Sequence, residues 1–134
     1  RIAQEKTPTG SRRTLAMRPS LQSDVALADT ELNAARAWLY QTIGAAWDHA
    51  QHEDETLEHR RAIRTANVHA VQTSVSVIDR MYTAVGGTSV YTDSCLQQHF
   101  RDVHVATQHM MVGDSVMEVA GRIMLGLDDK GVGI

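Results

Sequence analysis

The chain has 134 residues, a net charge of −3, 43% hydrophobic residues and only 4% aromatic ones. That length supports one domain with one continuous core, and the mild acidity leaves no general electrostatic case for nucleic acid or an anionic membrane surface. The single cysteine, Cys95, excludes an internal disulfide, and no apolar run approaches the ~20 residues of a membrane span.

Residues 1–19 are polar and carry Pro8, Gly10 and Pro19, which predicts an irregular or only briefly helical connecting segment. Arg12, Arg13 and Arg18 there either hold a phosphate or are solvated charge. From residue 20 to 49, Leu21, Val25, Ala28, Leu32, Ala35, Leu39, Ile43 and Ala46 recur at steps of three and four. That is one long amphipathic helix, about 45 Å from end to end. Trp38, Tyr40 and Trp47 fall off the stripe and are expected to meet another helix or subunit.

An acidic turn follows, with Asp54 as a plausible N-cap. The next helix is predicted over residues 56–85 and has two apolar stripes. One is Ile63, Ala66, Ala70, Val77, Met81 and Ala84; the other is Val68, Val71, Val75, Ile78, Tyr82 and Val85. A helix apolar on two sides is buried on two sides, and in so short a chain the second side is assigned to a partner subunit. Gly86-Gly87 ends this helix. A third helix is predicted over residues 94–111, with Ser94 and Gln97 at capping-box spacing. Gly113 breaks it, and Ser115 with Glu118 opens a fourth helix that Gly126 stops. Residues 127–134 read as a tail. Together these elements make an all-α, up-down four-helix bundle over residues 20–126.

The third helix concentrates the chemistry. Between its sparse apolar positions lie His99, Arg101, Asp102, His104, Gln108 and His109. A helix made only to fill a core does not need that set, so this one is read as lining a site. Metal binding is not the reading. His99, His104 and His109 step by five residues, turning about 140° each time at ~100° per residue, whereas helical ligand pairs want a spacing of three or four. No strand-turn-helix nucleophile elbow is present. Cys95 as a nucleophile would need His99, one turn away, as its base.

The string Tyr82-Thr-Ala-Val-Gly-Gly-Thr-Ser-Val-Tyr91, then Arg101-Asp-Val-His104 and Gln108-His109, resembles the C-terminal helical domain of the acyl-CoA dehydrogenase superfamily. Leu27-Ala28-Asp29 followed by Ala35-Arg36 is similar to its first helix. Within the superfamily the resemblance is closest to the oxygenase component of two-component, reduced-flavin-dependent hydroxylases acting on phenols and related aromatic or sterol-derived substrates (group D flavin monooxygenases). The resemblance implies that the chain is the last part of a longer one. It also implies flavin held between this bundle and a preceding β-domain, and bundles assembled in a dimer or tetramer. The implied chemistry is hydroxylation through a flavin C4a-hydroperoxide, with reduced FMN delivered by a flavin reductase, FAD being the alternative. An imidazole titrates near working pH and suits such a site. His109, then His104, are therefore the implied catalytic residues. Arg101, Gly86, Gly87 and Gln108 are the implied cofactor contacts, although an Arg101-Asp102 ion-pair network is an equal alternative for Arg101.

Two departures separate the branches. Where the dehydrogenases carry a flavin-binding glutamine, three residues before the paired glycines, this chain has Thr83, which tilts the cofactor toward FMN. Where many of them carry the catalytic glutamate, it has Met110, and α-proton abstraction needs a base in reach. An acyl-CoA dehydrogenase-like enzyme is thus the second reading, and an oligomerisation bundle without activity, for the isolated piece, the third. No signal-peptide pattern is visible, and the expected location is cytoplasmic.

Overall fold

Helices with apolar stripes must bury them on one another. The computed structural model describes residues 1–52 and 56–127, and among these there is no strand. Five α-helices follow in chain order: α1 (Ile2–Glu5), α2 (Pro19–Ala50), α3 (Leu57–Val85), α4 (Cys95–Ala106) and α5 (Asp114–Met124). Short 3₁₀ turns at Leu15–Met17, Gly86–Val90 and Met110–Val112 join them. The all-α helical bundle read from the sequence is the fold observed.

The bundle is organised around α3, which packs against α2, α4 and α5. Its two stripes explain this. Ala66 and Val68 are 0% and 1% exposed, yet two residues apart on a helix they point about 200° from each other. Both sides of α3 therefore carry buried residues. α4 and α5 pack on α3 as well as α2, and of the second stripe Val68 and Val85 are buried while Val71, Val75, Ile78 and Tyr82 stay half-buried. A run of large apolar side chains left outside lies along α2. That helix buries only Leu21, Ala28, Ala35, Thr42 and Ala46. The small residues on this line bring α3 close, and their larger neighbours Val25, Leu32 and Ile43 stay exposed beside the contact. Trp38, Tyr40 and Trp47 are exposed as well, Trp38 leaning on the His69 ring of α3 at 5.2 Å. Arg80 of α3 reaches Glu31 of α2 at 3.0 Å.

The helix ends follow local chemistry. Pro19 stands in the first turn of α2, where its missing N–H costs nothing. Thr56 caps α3, its hydroxyl accepting from the His59 N–H at 3.2 Å; Asp54, the cap expected from sequence, lies outside the described residues. Neither predicted capping box forms. Ser94 Oγ and Gln97 Oε1 are buried without partners, and α5 starts at Asp114 on Gly113, which places Ser115 inside the first turn.

The third predicted helix is also shorter than expected. It was read to Met111 and ends at Ala106. Thr107 stands at the break. Its hydroxyl donates to the His104 carbonyl at 2.7 Å, the acceptor that the Gln108 N–H would take in a continuing helix. The Gln108 and His109 N–H groups turn to the carbonyls three residues back, Val105 at 3.0 Å and Ala106 at 3.2 Å. Gln108 and His109 thus lie in a turn and not on the helical faces that their spacing suggested.

The N-terminal segment docks onto the bundle. Leu15 is 2% exposed, its N–H donates to the Lys6 carbonyl at 2.9 Å, and Lys6 Nζ donates to the Val85 carbonyl at the end of α3. Leu15→Ala should therefore cost about 2–4 kcal/mol in chemical denaturation. A loss below about 0.5 kcal/mol, the ordinary surface value, would mean that this segment is not part of the folded unit.

Candidate functional site

The end of α3 is built as an open cleft. Gly86 has φ 66°, in the half of backbone space that glycine enters most easily, and its N–H closes the helix on the Tyr82 and Thr83 carbonyls. The chain then tightens through the turn Gly86–Val90. Ser89, 1% exposed, locks that turn by donating to the Tyr82 carbonyl at 2.9 Å and the Gly86 carbonyl at 2.6 Å. Beside it is a cavity of about 490 Å³, within the ordinary range for small-molecule sites. Its walls include Lys6, Arg18, Thr83, Gly86, Gly87 and Tyr91.

Gly87 has no positive φ, and a Cβ built there meets nothing within 4 Å. Nothing inside the chain calls for glycine at 87. A bare floor in an open cleft beside two cations suits the close approach of a group from outside. A helix C-terminus repels anions. Lys6 offsets that by taking the Val85 carbonyl, and Arg18 adds a second positive charge. Arg18 had been singled out from sequence. Lys6 had not, because only the fold carries it across 79 positions to Val85.

The other candidates sit in the second half of α4 (Arg101, His104) and just beyond its end (Gln108, His109). Twelve residues at 1.5 Å each separate the glycine turn from that end by about 18 Å. Gly86 and Gly87 therefore do not meet His104, Gln108 and His109 within one chain. Arg101 is exposed, and among the described residues neither it nor Asp102 has a hydrogen bond or ion pair, so the expected Arg101-Asp102 network is not formed. Gln108 is exposed and its Nε2 donates to the Thr107 hydroxyl at 3.0 Å. His109 is exposed and caps the Met110–Val112 turn, its Nδ1 accepting from the Met111 N–H at 3.2 Å. His104 is half-buried against α3, with Nε2 3.3 Å from Asp79 Oδ1 and Phe100 edge-on to its ring at 4.3 Å. Asp79 escaped the sequence reading because 25 positions separate it from His104, and no local spacing marks the pair. Cys95 is exposed and forms no hydrogen bond with His99. Among the described residues no group of three or more His, Cys, Asp or Glu side chains is placed to hold a metal, and no helix is long and apolar enough to cross a membrane.

Fold and cleft together define a helical-bundle domain with an open, basic cleft at the end of α3. The chain belongs to the family described as acyl-CoA dehydrogenase, C-terminal domain, whose pattern it matches over residues 1–114. It is similar to the indole-3-acetate monooxygenases of Acinetobacter baumannii (33% identical over 114 residues) and Pseudomonas putida (34% over 113), in each case over 84% of this chain and 29% of the relative. It is also similar to the p-hydroxyphenylacetate 3-hydroxylase oxygenase component of Acinetobacter baumannii, 32% identical over 106 residues, 78% of this chain and 25% of the relative. The chain thus spans less than a third of the length of these relatives.

The two glycines separate on substitution. Gly86→Ala should cost about 1 kcal/mol or more from the positive φ alone. Gly87→Ala should leave stability in thermal unfolding unchanged within about 0.5 kcal/mol. Equal losses at both positions would show that Gly87 is needed for folding and remove the case for a ligand-facing role.

Proposed function

We propose that this chain is the C-terminal bundle of a flavin-dependent oxygenase component that hydroxylates a phenolic or other aromatic, or sterol-derived, small molecule. The observation that carries the reading is the cleft of the family fold, open, basic and floored by Gly86 and Gly87. The names of three relatives, two monooxygenases and one hydroxylase oxygenase component, supply the reaction class. Bound reduced flavin supplies the activation of oxygen and its transfer to the substrate.

This chain's residues supply position and polarity. Lys6 and Arg18, with the bare backbone at Gly86 and Gly87, suit the phosphate end of the cofactor. Thr83 in that wall, lacking the reach of a glutamine, favours FMN over FAD. His109 is the residue assigned to the reacting end, with Arg101 and Gln108 as polar neighbours. His104, turned toward Asp79, is less suited to touch substrate. Because the glycine turn and His109 stand about 18 Å apart along α4, each would complete a site with surfaces outside this chain. A second copy, meeting the exposed apolar residues of α2, and a preceding domain are the proposed contributors. A flavin reductase as electron source and a cytoplasmic location complete the reading.

The acyl-CoA dehydrogenase alternative needs a carboxylate base. At the position the resemblance assigns to it stands Met110, 80% exposed and without a titratable group. In the full-length protein, His109→Ala should leave the fold intact and lower product formed per reduced flavin consumed by about tenfold or more, the scale of one acid–base or polar contact. Unchanged coupling would remove His109 from the site, and oxygen-independent turnover of an acyl thioester would replace the hydroxylase reading altogether. The isolated chain, with its cleft open on one side, should retain little FMN in sedimentation. Replacing Lys6 and Arg18 together by Met should weaken FMN retention in the full-length protein by about tenfold or more, consistent with charge-assisted phosphate contacts.

A further inference from the structure

The turn that carries His109 is tied to α3 on both sides. Ahead of it, His104 Nε2 lies 3.3 Å from Asp79 Oδ1, at ion-pair distance but not aligned as a hydrogen bond. Phe100 backs the imidazole edge-on at 4.3 Å and rests on the Tyr82 ring of α3 at 4.6 Å. Asp79 Oδ1 is a buried atom, so the group that reaches it matters. Behind the turn, Arg64 Nη1 of α3 donates to Met111 Sδ at 3.0 Å. Between the two ties, Thr107 closes α4 on the His104 carbonyl and the Met111 N–H donates to His109 Nδ1.

That last contact has a chemical consequence. A neutral imidazole has one donor and one acceptor nitrogen. With Nδ1 accepting from a backbone amide, the hydrogen is on Nε2. His109 is exposed, so this Nε2–H is the polar group the turn presents outward.

We propose that Asp79 and His104 are positioning residues that hold the turn over residues 107–113 in the shape where His109 is fixed as an Nε2–H donor. What the donor serves rests on the functional reading above; the clamp itself does not. His104, named from sequence as a second catalytic candidate, then acts through His109 and does not touch substrate. The clamp reaches the turn through the His104 carbonyl, which Thr107 uses to end α4. An imidazole pulled away from Asp79 frees that last turn of helix, and the Met111 N–H loses its acceptor.

Hydrogen–deuterium exchange in the full-length protein tests this without calling on activity. His104→Phe and Asp79→Ala should each speed exchange over residues 107–113 by about three- to fivefold, the scale of one half-exposed pair, with α2 unchanged. The double variant should be no looser than either single one, since both remove the same contact. His104→Gln, whose side-chain amide can reach Asp79 in place of the imidazole, should return exchange to within about twofold of the parent. If His104→Phe does not fold, the Ala and Gln variants carry the comparison. Parent-like exchange in Asp79→Ala, or a double variant whose effect is the product of the two singles, overturns the clamp. Product formed per flavin, measured in parallel, addresses the other half. A loosened turn with unchanged coupling in His109→Ala would sink the role given to His109 and leave the clamp standing.

Discussion

Burial of α3 on two sides is the constraint from which the rest of the structure follows. With Ala66 and Val68 both buried, α3 sits in the middle, packed against α2, α4 and α5. Each functional feature is then a statement about where α3 ends or what it holds. Its C-terminus supplies the glycine turn and the carbonyl that Lys6 takes. Its flank supplies Asp79, Tyr82 and Arg64, which hold α4 and the turn beyond it. A helix covered on both sides is a rigid rail, and polar groups mounted on it are placed with little freedom.

Much of this was legible in the sequence because it depends on short-range pattern. The three- and four-residue steps in α2 and α3 fix their lengths to within a residue or two, since each step is a contact between successive turns. Gly86 was legible because a positive φ is a local requirement. The local failures fall at helix ends. α4 stops five residues early at Thr107, whose hydroxyl takes the His104 carbonyl. Ser94 and Gln97 have the spacing of a capping box and do not form it. Spacing marks a possible bond; only the surrounding packing determines whether the side chain turns toward it. The pair His104–Asp79 was invisible for a different reason. It joins two helices, and no periodicity within either one records the other.

The same distinction changes how the candidate site is understood. Read as a continuous helix, residues 94–111 carried Arg101, His104, Gln108 and His109 on one element. Folded, that helix ends at Ala106, and the two histidines take different places. His104 turns inward to a carboxylate and an aromatic wall. His109 leaves the helix and takes up a backbone amide. Two imidazoles five positions apart, alike in the sequence, fall on either side of the helix end.

The distribution of exposed apolar side chains bears on why the site is divided. α2 leaves a run of large apolar side chains exposed, Trp47 and Tyr40 among them at 68% and 63%. Isolated exposed apolar residues need no explanation, but a run along one long helix marks a contact surface. The glycine turn and the His109 turn lie at opposite ends of α4, too far apart for one small molecule to bridge within this chain. A basic, bare cleft at the glycine turn and a separate hydrogen-bonding turn at His109 are useful under the proposed function only if something else brings a complementary wall to each. The proposed association through α2 and the proposed flavin-bearing domain answer the same geometric demand. Under the proposed function, a cofactor site completed in this way would form only on assembly, which would tie it to the folding and pairing of the bundle.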